Sequence, residues 1–126
     1  MKILGIDYGR SKMGLAIAEG PLAEPLKVFH YKDTKLVAEQ IIRIIEEEKI
    51  EKVVIGVSEG AMGEESKNFS VNFGKMLTIP VETSDETLST QDAQFFSKEA
   101  GIKQKRRRQM EDAFAACVML QNYLDK

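Results

Sequence analysis

A chain of 126 residues that is 43% hydrophobic and 30% charged is unlike a disordered polymer and has room for one core rather than two, so a single domain over residues 1–126 is expected. Its formal net charge of -2 provides no general attraction to polyanions, and any contact with nucleic acid must come from a local basic patch. Cys117 is the sole cysteine and His30 the sole histidine, which excludes an internal disulfide and a zinc site of the usual kind, and the early Asp7 with no long apolar stretch excludes a signal core or a membrane span; a reducing, cytoplasmic setting without a membrane partner is expected.

Residues 2 to 6 and 13 to 18 are short, apolar and partly β-branched, and Gly9, Arg10, Ser11 and Lys12 between them suit a turn, so the chain opens on an antiparallel hairpin. Alternation from Leu26 to Tyr31 predicts a third strand. From Leu36 the spacing becomes helical, with Val37, Ile41, Ile44 and Ile45 on one side and Asp33 or Thr34 available as a cap. The run Val53, Val54, Ile55, Gly56, Val57 has the continuous apolar character of a strand buried on both faces, as at the centre of a parallel sheet covered by helices.

Residues 64 to 77 place Phe69, Phe73, Met76 and Leu77 at helical spacing, and Pro80 begins a short extended segment through Thr83. Ser89 with Asp92 suggests a capping box for a helix through Glu99, closed by Gly101. Met110 to Leu124 forms the last helix, with Met110, Ala113, Phe114, Cys117, Val118, Gln121 and Leu124 along one face. Ala115, Ala116, Met119 and Tyr123 make its other side apolar too, so this helix is expected to pack on two sides.

Three acids stand where such an architecture places chemistry. Asp7 ends the first strand before a tight turn, where it can face a cleft or simply bond the Gly9 backbone. Glu86 follows the short fifth strand, and Asp112 lies near the start of the last helix; each has a plain alternative, as a solvated loop acid and as a complement to a helix N-terminus. A sheet with its first strand at the centre brings the ends of strands one, four and five together, so that the three carboxylates converge. Hard oxygen ligands in such a cluster suit two magnesium or manganese ions about 4 Å apart, the arrangement that hydrolyses phosphodiesters.

The segments GIDYGRSKMGLAIA at 5 to 18, VVIGVSEGAMGEES at 53 to 66, DETLST at 85 to 90 and MEDAFAACVMLQNYLD at 110 to 125 resemble, in order, the YqgF family, provisionally described as Holliday-junction resolvases. The resemblance implies an α/β, ribonuclease-H-like mixed sheet of five strands in the order 3-2-1-4-5 with helices on both faces, related to the junction resolvase RuvC. It implies a metal-dependent endonuclease, with Asp7, Glu86 and Asp112 at its acidic metal-binding positions and Mg2+ or Mn2+ as cofactor. Its substrate would be branched DNA or structured RNA, and maturation of the 5′ end of precursor 16S ribosomal RNA is an alternative family role. The chain departs from the family pattern at Lys12, where Arg is usual, at Thr87, which replaces the Arg of an Asp-Glu-Arg motif, and at IGVSEG, where Gly-Leu-Pro is commoner. A bidentate phosphate contact is thereby lost at Thr87, and Lys12 offers a point charge.

Lys103, Lys105, Arg106, Arg107 and Arg108 crowd into six positions before the helix that carries Asp112. They are read, with Lys12, as phosphate-binding residues that hold substrate without reading its sequence. His30 lies away from these motifs and Cys117 on the apolar face of the last helix, so neither is expected to do chemistry. Two other classes stay open: a non-catalytic nucleic-acid-binding module on the same fold, and a phosphotransferase, for which the chain is short because such enzymes close two domains around a nucleotide. The acting unit is expected to be a monomer or a homodimer.

Overall fold

The computed structural model describes residues 1–57, 60–85 and 110–126, and at residues 60, 61 and 85 the backbone alone. Strands β1 (Lys2–Asp7), β2 (Lys12–Glu19) and β3 (Ala23–His30) precede helix α1 (Thr34–Glu48). Strand β4 (Lys52–Val57), helix α2 (Gly60–Lys75), strand β5 (Val81–Asp85) and helix α3 (Glu111–Leu124) follow. The strands form one sheet in the order β3-β2-β1-β4-β5. β1 pairs antiparallel with β2 and parallel with β4, β4 pairs parallel with β5, and β2 pairs antiparallel with β3. The expected sheet, strand order and central first strand are therefore present.

Alternation along β1 and β4 divides the core. Leu4, Ile6, Val53 and Ile55 face one way and pack with Met13 and Leu15 against Val37, Ile41 and Ile45 of α1 and Phe69 and Phe73 of α2. Ile3 and Val54 face the other way and pack with Ala16 and Ala18 against Ala116, Cys117, Met119 and Leu120 of α3. Phe114 and Ala115 are buried in a separate small cluster with Met110 and Val118, so α3 is buried on two sides as its composition predicts. The two buried sets cut across the single face drawn from its spacing, because Cys117 belongs to the sheet side and Phe114 and Val118 to the other.

Asp33, and not Thr34, caps α1: its carboxylate accepts from the Lys35 N–H. Several boundaries move. β3 begins at Ala23 rather than Leu26, with Pro25 opposite Ala16 beside a register shift at Leu15 and Ala16; an edge strand tolerates a residue that cannot donate. α2 begins at Gly60 rather than residue 64, and β5 runs from Val81 to Asp85 rather than ending at Thr83. The helix expected over 89–99 lies outside the described residues. Among the described residues no helix is long and apolar enough to cross a membrane.

Candidate active site

Asp7 closes β1 at the centre of the sheet, opposite Gly14 of β2 on one side and Gly56 of β4 on the other. Gly56 in turn lies opposite Ser84 of β5. Gly14, Asp7, Gly56 and Ser84 thus form one row across four strands, and paired residues project from the same face. Gly5, two residues before Asp7, fixes which face this is. A Cβ there would lie 3.0 Å from the Leu120 Cβ of α3, so Gly5, and with it Asp7, projects toward α3. Glycine on both sides leaves no side chain beside the half-buried Asp7 within the row.

The same row locates Asp112. A Cβ on Gly14 would overlap the Asp112 carbonyl and stand 2.7 Å from the Ala113 nitrogen. The first turn of α3 therefore rests directly on the strand residue paired with Asp7, and only a residue without a side chain permits it. Asp112 and Glu111 both lie in that first turn, where the positive end of the helix dipole offsets the accumulation of acid. Two of the three expected carboxylate residues, Asp7 and Asp112, are brought to one place by Gly14. The third, Glu86, lies outside the described residues, immediately after Asp85 in the chain. Among the described residues no group of three or more His, Cys, Asp or Glu side chains is gathered to hold a metal ion, at this place or any other.

The turn after Asp7 is held from the opposite side of the sheet. Arg10 Nε donates to both carboxylate oxygens of Glu65 on α2, at 3.2 and 2.9 Å, and this pairing raises the Arg10 pKa further. The Tyr31 hydroxyl donates to the Gly9 carbonyl, and the Tyr31 N–H donates to the Ser11 carbonyl at 2.9 Å. Burial, with a smaller contribution from neighbouring Tyr8, pushes the Tyr31 phenol up to about 12, so at neutral pH it remains a fixed donor. Neither Glu65 nor Tyr31 is marked by the sequence, since each is distant from the turn it secures.

Lys12 is exposed at the start of β2, opposite His30, five residues past Asp7 and free to reach solvent on the active end of the hairpin. Lys103, Lys105, Arg106, Arg107 and Arg108 lie outside the described residues. Cys117 is 2% exposed, and burial pushes its thiol up to about 11, which keeps it protonated and unreactive. Ser84 likewise stands outside the sequence reading. Its hydroxyl is buried without a hydrogen-bond partner among the described residues, and nothing in the sequence marks it until the register of β5 against β4 is known.

Comparison with known proteins settles the family. The model of a family described as RuvX, Holliday junction resolvase, matches residues 1–126. The chain belongs to this family. A relative from Rickettsia akari, named provisionally as a pre-16S rRNA nuclease, is 34% identical over 131 residues, covering 98% of this chain and 85% of its own. A relative of the same provisional name from Oceanobacillus iheyensis is 32% identical over 136 residues, covering 100% and 99%. Among solved structures, Thermus thermophilus RuvC in complex with a Holliday junction substrate superposes with a TM-score of 0.68 and 16% identity, covering 99% of this chain and 95% of that one. At that identity the likeness is one of fold, and it agrees with the ribonuclease-H-like sheet described above.

Proposed function

We propose that the chain is a metal-dependent endonuclease that hydrolyses phosphodiesters of branched DNA, with Asp7, Asp112 and Glu86 as its metal-binding and catalytic carboxylates. The observation that carries this reading is the seating of Asp112 on Gly14, the strand partner of Asp7. A protein that only bound polyanions would gain nothing by gathering negative charge there, because bare carboxylates repel phosphate. Hard oxygen donors, two flanking glycines and no imidazole or thiolate in the row fit Mg2+ or Mn2+ rather than a softer ion. When bound, such ions supply activation of water and stabilisation of the leaving oxygen.

The chain's own residues do the rest. Asp7 is held by strand pairing on both sides, so its carboxylate is presented from the centre of the sheet rather than from a loop. Asp112 is fixed relative to it by a backbone contact rather than by a flexible side chain. Lys12 and the basic run Lys103, Lys105, Arg106, Arg107 and Arg108 hold the phosphate backbone, which positions substrate without selecting sequence. The names of the relatives support a second substrate, the 5′ end of precursor 16S ribosomal RNA.

Asp7→Asn tests the reading, since it keeps the size of the side chain and removes the charge that holds a hard cation. With Mg2+ or Mn2+, cleavage of a four-way DNA junction and of precursor rRNA should fall roughly 100-fold or more while the melting temperature is kept. Replacing Arg106, Arg107 and Arg108 by Gln should instead weaken binding and reduce the slope of log affinity against log salt by up to about 3. Cleavage undiminished in Asp7→Asn defeats the nuclease assignment for this site. Binding without cleavage by the parent, on either substrate, makes the non-catalytic module the correct reading, and cleavage of the RNA alone makes rRNA maturation the function.

A further inference from the structure

Ser84 is 6% exposed, yet its Oγ has no hydrogen-bond partner among the described residues. Buried hydroxyls are nearly always partnered, and one that is not calls for an ordered water or ion. Its position in the sheet says which. Glu82, two residues earlier in β5, hydrogen-bonds Tyr123 of α3, so alternation turns Ser84 toward the face that Asp7 occupies. Register then sets it in line with Asp7 across Gly56, which contributes no side chain between them. Two strand spacings separate Ser84 from Asp7 along the row, roughly 10 Å between backbones. Oxygen ligands of Mg2+ bind at about 2.1 Å, so a cation on the Gly56 side of Asp7 is too far to touch Ser84 directly and leaves room for a bridging water.

We infer that Ser84 is a positioning residue of the metal site that Asp7 and Asp112 frame: its hydroxyl hydrogen-bonds the hydration layer of a cation bound by Asp7 on the Gly56 side of the row. The inference rests on the metal-site reading of those two acids and adds a residue from a third element. It accounts for an otherwise unpartnered buried hydroxyl, and it explains why the Gly56 position between Ser84 and Asp7 carries no side chain. Partners outside the ligand set typically change metal affinity 10- to 100-fold when removed.

Mn2+ binding to the parent, Ser84→Ala, Ser84→Thr and Asp7→Asn is measured by calorimetry and by the paramagnetic resonance of the bound ion, with metal-free melting temperatures taken in parallel. Ser84→Ala should bind Mn2+ about 10-fold more weakly with a melting temperature equal to or above the parent's, because an unpartnered buried hydroxyl costs stability and its removal does not. Ser84→Thr, which keeps the hydroxyl, should recover most of the affinity. Full Mn2+ affinity in Ser84→Ala alongside its loss in Asp7→Asn overturns the role of Ser84 and leaves the metal site standing. Absence of Mn2+ binding by the parent overturns both. A Ser84→Ala protein that melts well below the parent without metal shows the hydroxyl to be structural, and also overturns the inference.

Discussion

The two ends of α3 meet the same sheet by opposite means. At its C-terminal end the contacts are long polar side chains: Tyr123 bonds Glu82 and accepts from Lys52 Nζ at 2.9 Å, Lys52 pairs with Glu82 at 2.9 Å, and the Gln121 side chain accepts from the Ala23 N–H at 2.8 Å and donates to the Pro21 carbonyl. At its N-terminal end the decisive contact is backbone on backbone, Asp112 over Gly14. Side chains with several rotatable bonds adjust to small displacements, whereas a backbone seated on a glycine has no slack. The end that carries Asp112 is therefore located by close packing, and the distant end is tied by adaptable bonds. A site that must hold two carboxylates in fixed relation needs the first kind of contact, and a helix that must only stay docked can use the second.

The comparison breaks most severely at Gly14. In Gly14→Ala the added methyl would overlap the Asp112 carbonyl, and since the obstacle is backbone on both sides, α3 must lift. Overpacking of this kind costs about 1–3 kcal/mol, visible as a lower urea midpoint. On the proposed function the larger effect falls on cleavage, because a displacement near 1 Å at a catalytic group costs on the order of 100-fold in rate. Retention of full activity in Gly14→Ala would show that the position of Asp112 is not set by this contact.

How much of this was legible beforehand depends on whether a feature is local. The strands β1 and β4 announce themselves because Ile3, Leu4, Ile6 and Val53 to Ile55 are apolar or β-branched without interruption. The cap at Asp33 and the two-sided burial of α3 are likewise written in adjacent residues. β3 extends past the alternating run because an edge strand accepts Glu24 and Pro25, and α2 takes in Gly60 and Gly63, poor helix formers whose propensity tertiary packing overrides. Asp7 and Asp112 were identifiable as candidates, but the contact that joins them depends on Gly14, whose importance appears only when the hairpin register and the docking of α3 are both known. Ser84 depends on register alone, between strands separated by a helix. Glu86 and the basic run lie outside the described residues.

At the other end of α3 a smaller effect is expected. Tyr123→Phe keeps the ring against the sheet and removes only the hydroxyl that links Lys52 to Glu82. The loss is that of two hydrogen bonds, one to Glu82 and one from Lys52, while the direct pair between Lys52 and Glu82 remains; together they contribute about 1 kcal/mol or less at so open a place. Denaturant unfolding should register it, while cleavage at saturating Mg2+ stays within about twofold of the parent, since the rigid contact at Gly14 is untouched and 1.4 kcal/mol would be needed for a tenfold change. A drop in rate comparable to that of Gly14→Ala would mean that both ends of α3 locate Asp112 and that the contrast between them is false.

The mildest perturbation is acid. The Tyr123 hydroxyl first and the Lys52 ammonium second hold the Glu82 carboxyl below its ordinary value of 4.5. A carboxylate whose folded pKa is depressed stabilises the fold at pH above its unfolded value, and this contribution is lost as pH falls from about 4.5 through the lower folded pKa. Lys52 is raised by the same partners, Tyr123 and then Glu82, so its contribution persists across this range and would fade only at strongly alkaline pH. Because the Glu82 side chain is about half exposed, solvent screening keeps the effect small. The measurement is the difference in stability between the parent and Glu82→Gln followed from pH 6 to pH 3. The parent should lead at pH 6 by a small margin that salt reduces, and the margin should close below pH 4.5 as Glu82 takes up its proton. A margin that widens toward low pH would reverse the sign required of a depressed carboxylate and would remove Glu82 from the polar clasp on the C-terminal end of α3.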